Sequence, residues 1–196
     1  MAVDELDQLL QDRFSLSRSD LIAALKTLPA HRPWAASLTA AEAQLLDDAG
    51  FVEDPDAYTE IAVDVIGHMA RLINTAYSAA AVAAGLGVNE SRVRQRRLAR
   101  SLWAIEDNGA WVFPVIQFDL VTTEGREVLK QVRGLDQVLS ALPIDLHPTA
   151  VAGFLLTPQE DLTIGGQPRS VRDWLSSGGA VEPVLRLVDR GEWAGR

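Results

Sequence analysis

The stretch Ser78–Arg100, SAAAVAAGLGVNESRVRQRRLAR, constrains the fold more than any other part of the chain. It reads as two short helices about a tight turn, with positive charge confined to the second. Val82 and Ala83 supply the buried side of the first helix, Gly87 the turn, and Val88 a plug for the corner. Asn89 caps the second helix, its side-chain oxygen facing backbone N–H groups that lack partners in the first turn. That helix then carries Arg92, Arg94, Arg96, Arg97 and Arg100. Turn spacing and charge placement agree. They predict a helix-turn-helix that binds double-stranded DNA, against a competing reading as a solvated helical hairpin.

A major-groove docking of this helix presents Ser91, Arg94 and Gln95 to base edges, because Arg matches guanine O6/N7 and Gln matches adenine. Asn89 joins them at the helix N-terminus. Arg92, Arg97 and Arg100 are expected on phosphates, and Val93 in the core. Arg96 falls where such helices usually bury an aliphatic residue, so its stem is expected to pack while its head reaches out.

A net charge of −9 over 196 residues argues against a generally basic nucleic-acid binder, so the distribution decides. Residues 1–60 hold 12 acidic and 4 basic groups, whereas residues 78–101 hold 5 arginines and only Glu90. A local positive stripe of this kind suffices for phosphate docking. The acidic remainder limits non-specific DNA binding, offers a surface to a basic partner, or only keeps the chain soluble. There are no cysteines, which excludes a disulfide scaffold, a thiol nucleophile and cysteine-ligated metal centres. The opening MAVDELDQLL is acidic where a signal peptide is basic, and no apolar run approaches the roughly 18 residues of a membrane span. A cytoplasmic protein without membrane association is expected.

Along the chain, Leu6, Leu9, Leu10 and Phe14 recur at helical spacing, as do Leu21, Ile22, Leu25 and Leu28. Leu28–Leu38 reads as a loop, Thr39-Ala40-Ala41-Glu42 as a capping box, and Gly50 as the end of that helix. A longer helix after Pro55, with Ile61, Val65, Ile66, Met69, Leu72 and Ile73 on its apolar face, is expected to brace the helix pair. Beyond the basic helix, Leu102-Trp103-Ala104-Ile105 and Trp111-Val112-Phe113 flank Asp107-Asn108-Gly109, a strong hairpin signal because both turn residues accept positive φ. A hairpin there fits the wing of a winged or MerR/excisionase-like domain, with Trp103 and Trp111 packed across it. Residues 119–134 read as a connector with some helical content. Leu135, Val138, Leu139 and Leu142 follow Gly134, and the last fifty residues read as a helical piece: Pro148–Leu156, a Gly165-Gly166 turn, a short helix after Ser170 and a last helix from Ala180.

The run Phe154-Leu155-Leu156-Thr157-Pro158, Leu162, Gly165-Gly166, Pro168, Trp174-Leu175, Gly178-Gly179, Val184 and Leu187 resembles the toxin-binding domain of Xre/MbcA/ParS-type antitoxins. Leu142-Pro143 and Asp145-Leu146-His147-Pro148 are similar to the actinobacterial branch that joins this domain to an upstream helix-turn-helix. Phe154 stands where that pattern has Trp, and Gln159 where it has Asn. The resemblance implies a RES-domain toxin as partner, an enzyme that consumes NAD, with the antitoxin's C-terminal end covering its active-site entrance. On this basis Val184, Leu185, Leu187 and Val188 form an apolar stripe on the last helix, and Leu187, Arg190, Glu192 and Trp193 are expected to contact the toxin. The alternatives are a helical subdomain that only dimerises the protein, and a Trp193 folded back on Trp174.

The remaining residues offer little chemistry. His31, His68 and His147 lack metal-ligand spacing; His68 is expected in or at the edge of the core and His147 in a turn or cap. Asp47-Asp48 and Glu53-Asp54-Pro55-Asp56 read as solvated faces, and the paired glycines are not phosphate loops. No nucleophile, base and oxyanion site assembles, so neither enzyme activity, metal nor cofactor is expected.

The sequence therefore predicts a mainly α fold: an N-terminal helical region over 1–54, a helix-turn-helix with a small hairpin wing over 55–120, and a helical toxin-binding domain over 121–196. The function expected is that of an oligomeric DNA-binding antitoxin that neutralises a RES-domain toxin and autoregulates its operon. A stand-alone regulator whose C-terminal domain dimerises or senses a ligand is the alternative.

Overall fold

The computed structural model describes residues 5–14, 16–27, 39–50, 55–123 and 126–191, and helices dominate it. Contacts divide the chain into two compact units, Met1–Asn74 and Thr75–Arg196.

The first unit holds α1 (Glu5–Phe14), α2 (Arg18–Thr27), α3 (Ala40–Asp48) and α4 (Pro55–Asn74). Two of these helices start on reciprocal caps. The Ser17 N–H donates to Asp20 Oδ2 at 2.8 Å while the Asp20 N–H donates to Ser17 Oγ, and Thr39 and Glu42 exchange the same pair of bonds. Gly50, at φ +80°, follows α3 as its stop. Leu10, Leu16 and Ala70 form a small core with Leu21 against it. Among the described side chains of α4, the buried ones are Met69, Ala70, Leu72 and Ile73; Ile61, expected on the apolar face, is 63% exposed. The loop expected at 28–38 lies outside the described residues.

The second unit begins with β1 (Tyr77–Ser78), α5 (Ala79–Leu86) and α6 (Glu90–Leu98). Ser78 Oγ caps α5 by accepting the Ala81 N–H, and Gly87, left-handed at φ +66°, ends it. Strands β2 (Ile105–Asp107) and β3 (Ala110–Phe113) turn about Asn108 and Gly109 at φ +47° and +82°. These are the positive values that a two-residue hairpin turn demands. β1 pairs with the far side of β3, so the sheet order is β1-β3-β2 and the strand leading into α5 is stitched to the hairpin that follows α6. Val82, Val93, Leu102, Phe113, Phe118 and Leu129 form the core beneath.

Residues 119–134 are not the partly helical connector their sequence suggested. β4 (Phe118–Thr123) and β5 (Arg126–Gln131) form an antiparallel hairpin, with Leu120 opposite Leu129 and Val121 opposite Val128. Val121, Thr122, Thr123 and Val128 are β-branched, and with Phe118 they favour the pleated state over a helix. Leu129 presses on α5 where Gly85 sits, and a Cβ on Gly85 would collide with its side chain.

The rest comprises α7 (Leu135–Ala141), α8 (Pro148–Leu156), β6 (Pro158–Ile164), β7 (Gln167–Ser170), α9 (Val171–Ser176) and α10 (Val181–Arg190). The helices match their sequence signals, but this part is not purely helical, since Gly165 and Gly166 turn a β6–β7 hairpin. Its core comprises Leu135, Val138, Leu155, Leu162, Val171, Leu175 and Val184 among others.

Side chains reaching across the sequence join the two cores of this unit. The Gln117 amide, fully buried, accepts the Trp103 N–H at 2.9 Å and donates to the Trp103 carbonyl at 2.7 Å. Arg172 of α9 donates to the carbonyls of Ile116 and Phe118 and to Asp119 Oδ1 at 2.9, 3.1 and 2.8 Å. Buried amides and carbonyls left without such partners would each cost about 1–3 kcal/mol.

Candidate nucleic-acid interface

Asn89 sets the start of α6: its Oδ1 accepts the Arg92 N–H at 2.8 Å. The helix then sorts its residues by angle. Val93 is fully buried, whereas Ser91, Arg92, Arg94 and Gln95 are exposed. Arg92 donates a long 3.4 Å bond to Gln95 Oε1, so the two share one rim of the helix. Between α6 and the hairpin lies an open groove of about 550 Å³, lined by Glu90, Ser91, Arg94, Arg97 and Trp111. Val88, expected as the corner plug, is instead 37% exposed, because Val82 and Val93 already fill the corner.

The other arginines separate by role. Arg97 lies over the Trp111 ring, its Cζ 3.9 Å from the centroid. Arg96 does not reach out: its guanidinium donates to Gln131 Oε1, and burial lowers its pKa from the ordinary arginine value. Gln131 in turn donates to the Ser101 carbonyl. Arg100, assigned to phosphates from sequence, turns inward and donates to the carbonyls of Leu139, Ser140 and Leu142 at the end of α7. A left-handed backbone, φ +56°, aims it there. The charge also suits the site, since a helix C-terminus attracts cations. The hairpin itself carries Glu106 and Asp107, so its tip is not a phosphate ligand. Trp103 and Trp111 are not cross-strand partners: Trp111 pairs with Glu106, and Trp103 packs against the C-terminal core.

On α10 the expected apolar stripe faces inward. Val184 and Leu187 are buried, with Leu185 and Val188 packed against the same core. Leu187 is therefore part of this core, 8% exposed. Arg190 is exposed and ion-paired with Asp161 of β6. Glu192 and Trp193 lie outside the described residues.

His147 caps α8, its Nδ1 accepting the Thr149 N–H at 3.3 Å with the Thr149 hydroxyl at 2.7 Å. Burial pushes its pKa below the usual histidine value. His68 is exposed, not a core residue. Among the described residues no group of three His, Asp or Glu side chains is placed to hold a metal ion, and no helix is long and apolar enough to cross a membrane.

Sequence reasoning missed Trp111 as the platform for Arg97, the amides Gln117 and Gln131, and Arg172. Each pairs with a residue distant in the chain, and no local pattern announces such a contact. Compared with family profiles, with curated proteins and with solved structures, the chain matches none.

Proposed function

We propose that Ser78–Phe113 is a winged helix-turn-helix that binds double-stranded DNA through α6. The observation that carries this is the sorting of α6. It buries Val93, sets Ser91, Arg94 and Arg97 on the wall of an open groove, and leaves Arg92 and Gln95 exposed on the same helix. Ser91, Arg94 and Gln95 read base edges, with Arg94 matched to guanine and Gln95 to adenine. Arg92 and Arg97 hold phosphates, Arg97 steadied by Trp111. Asn89 serves by fixing the helix start, and Arg100 by tying α6 to α7. The hairpin, acidic at its tip, acts as a brace for Arg97. Selection from a random duplex library tests the reading: enrichment of a defined motif supports it, and recovery of unenriched sequences contradicts it.

The second half of the proposal, an antitoxin that neutralises a RES-domain enzyme and represses its own operon, rests on the resemblance of residues 135–191. The surface for that enzyme is then the outer face of α10, with Arg186, Asp189 and Arg190, continued by Glu192 and Trp193. Co-expression with a RES-domain toxin tests it. The full chain should prevent NAD loss, and a chain lacking residues 192–196 should not; equal protection by both would sink the tail's role. The other reading is a stand-alone regulator whose C-terminal domain dimerises or senses a ligand.

A further inference from the structure

A second hollow, of about 410 Å³, lies between the end of α6, the β2–β3 hairpin and the loop joining α7 to α8. Trp103, Leu142, Leu146 and Val151 line it as an apolar floor. At its edge Leu98 and Ile144 are 64% and 83% exposed, although both are large apolar side chains. Among the described residues, two charged ones line it, Arg97 and Arg100, and both are cations. Arg100 is engaged with the carbonyls of α7. The described contact of the Arg97 guanidinium is with the Trp111 face, which leaves its N–H donors for another acceptor. A cavity of this size, mostly apolar with a few converging polar groups, has the character of a small-molecule site.

Arg97 and Trp111 also line the groove on the base-reading side of α6. The stacked pair is thus the wall between the two hollows. Whatever neutralises Arg97 from one side removes a phosphate ligand from the other.

We propose that this hollow binds a small organic acid, an apolar aromatic or aliphatic body bearing one carboxylate, and that its occupancy releases DNA. The apolar body lies on Trp103 and Leu142, and the carboxylate accepts charge-assisted hydrogen bonds from Arg97. The choice of an anion follows from charge complementarity, since among the described residues the lining offers cations and no acidic group. The effect on DNA rests on the proposed role of α6; the binding site itself does not.

Isothermal titration of the full chain, without DNA, with 1-naphthoate and with its neutral counterpart 1-naphthalenemethanol tests the site. The acid should bind about tenfold more tightly than the alcohol, the value of one charge-assisted contact. Ile144→Asp, at an exposed position that folding does not need, should weaken the acid about threefold, and Ile144→Lys should not. Neither variant should alter DNA affinity in the absence of acid. With acid saturating, wild-type affinity for a selected duplex should fall about tenfold. Equal binding of acid and alcohol, or indifference to Ile144→Asp, overturns the proposal. So does a fall in particle mass with Ile144→Asp, which would put a second copy of the chain in the hollow. Acid binding by a protein that fails to bind DNA even when ligand-free would overturn the DNA reading and leave the site standing.

Discussion

Arg97 of α6 lies 3.9 Å above the ring of Trp111 on β3, a contact that ties the charged helix to the hairpin beside it. A cation over an indole at a partly exposed site contributes about 0.5–1 kcal/mol. Trp111→Leu should therefore lower stability by about 1 kcal/mol in urea denaturation and weaken DNA binding several-fold, because Arg97 loses its preset direction. Trp111→Phe should recover most of both, since a smaller aromatic face remains.

Arg172 should matter for folding far from any ligand. It satisfies two carbonyls and Asp119 at the start of β4 from a helix more than fifty residues later. Arg172→Leu should cost about 1.5–3 kcal/mol, the range for hydrogen bonds to charged groups. For the same reason residues 75–196 should unfold in one transition, and a fragment of residues 121–196 should fail to fold alone. Circular dichroism of the two fragments checks this.

The cap on α8 gives stability a pH dependence. His147 accepts the Thr149 N–H only while its ring is neutral, and burial holds its folded pKa below the ordinary value of about 6.5. The unfolded chain thus binds this proton first. The contribution is complete above about pH 6.5 and is lost as pH falls through the folded pKa. His147→Asn, which keeps a capping oxygen, should flatten that part of the profile. His147→Ala should cost about 0.5–2 kcal/mol at neutral pH. Thermal melts between pH 5 and 8, on the order of the histidine range, measure both effects.

A single basic helix reads few base pairs, so useful specificity calls for two copies on adjacent half-sites. Phe14, Leu45, Ile61 and Val63 of the first unit are each more than 60% exposed, and they supply apolar area for such pairing. Light scattering of the full chain should give a mass above the 21.3 kDa monomer, and a chain lacking residues 1–74 should fall to the mass of one copy. A full chain that stays monomeric with and without DNA would contradict this.

Much of the local structure was legible because the signals are local. Asn89, Gly87, Asn108-Gly109 and the Thr39–Glu42 box act within three or four residues of themselves, and all lie where their chemistry requires. The misreadings share another cause. The strands at 118–131 and 158–170 gain their pairing from each other and their burial from α5, α8 and α9, so no single window of sequence contained the reason for them. Periodicity on α10 marks an apolar stripe, and Val184 and Leu187 of that stripe are buried. An apolar stripe records that a helix face is buried without recording against what, and here Leu187 meets its own core. Arginine in a basic helix is equally ambiguous: Arg96 and Arg100 carry the same charge as Arg94 yet work inside the protein.

The sorting of α6 into reading and bracing arginines is tested most directly by the affinity and salt dependence of the Arg94→Ala, Arg97→Ala double variant on a library-selected duplex. Removing a base-edge arginine costs about 1–3 kcal/mol and relaxes sequence preference, while losing a phosphate contact lowers the salt slope by about one unit. Both changes are expected together, with Arg100→Gln, which removes the charge held on the α7 carbonyls, leaving the slope unaltered. Unchanged affinity and an unchanged salt slope in the double variant would contradict this sorting.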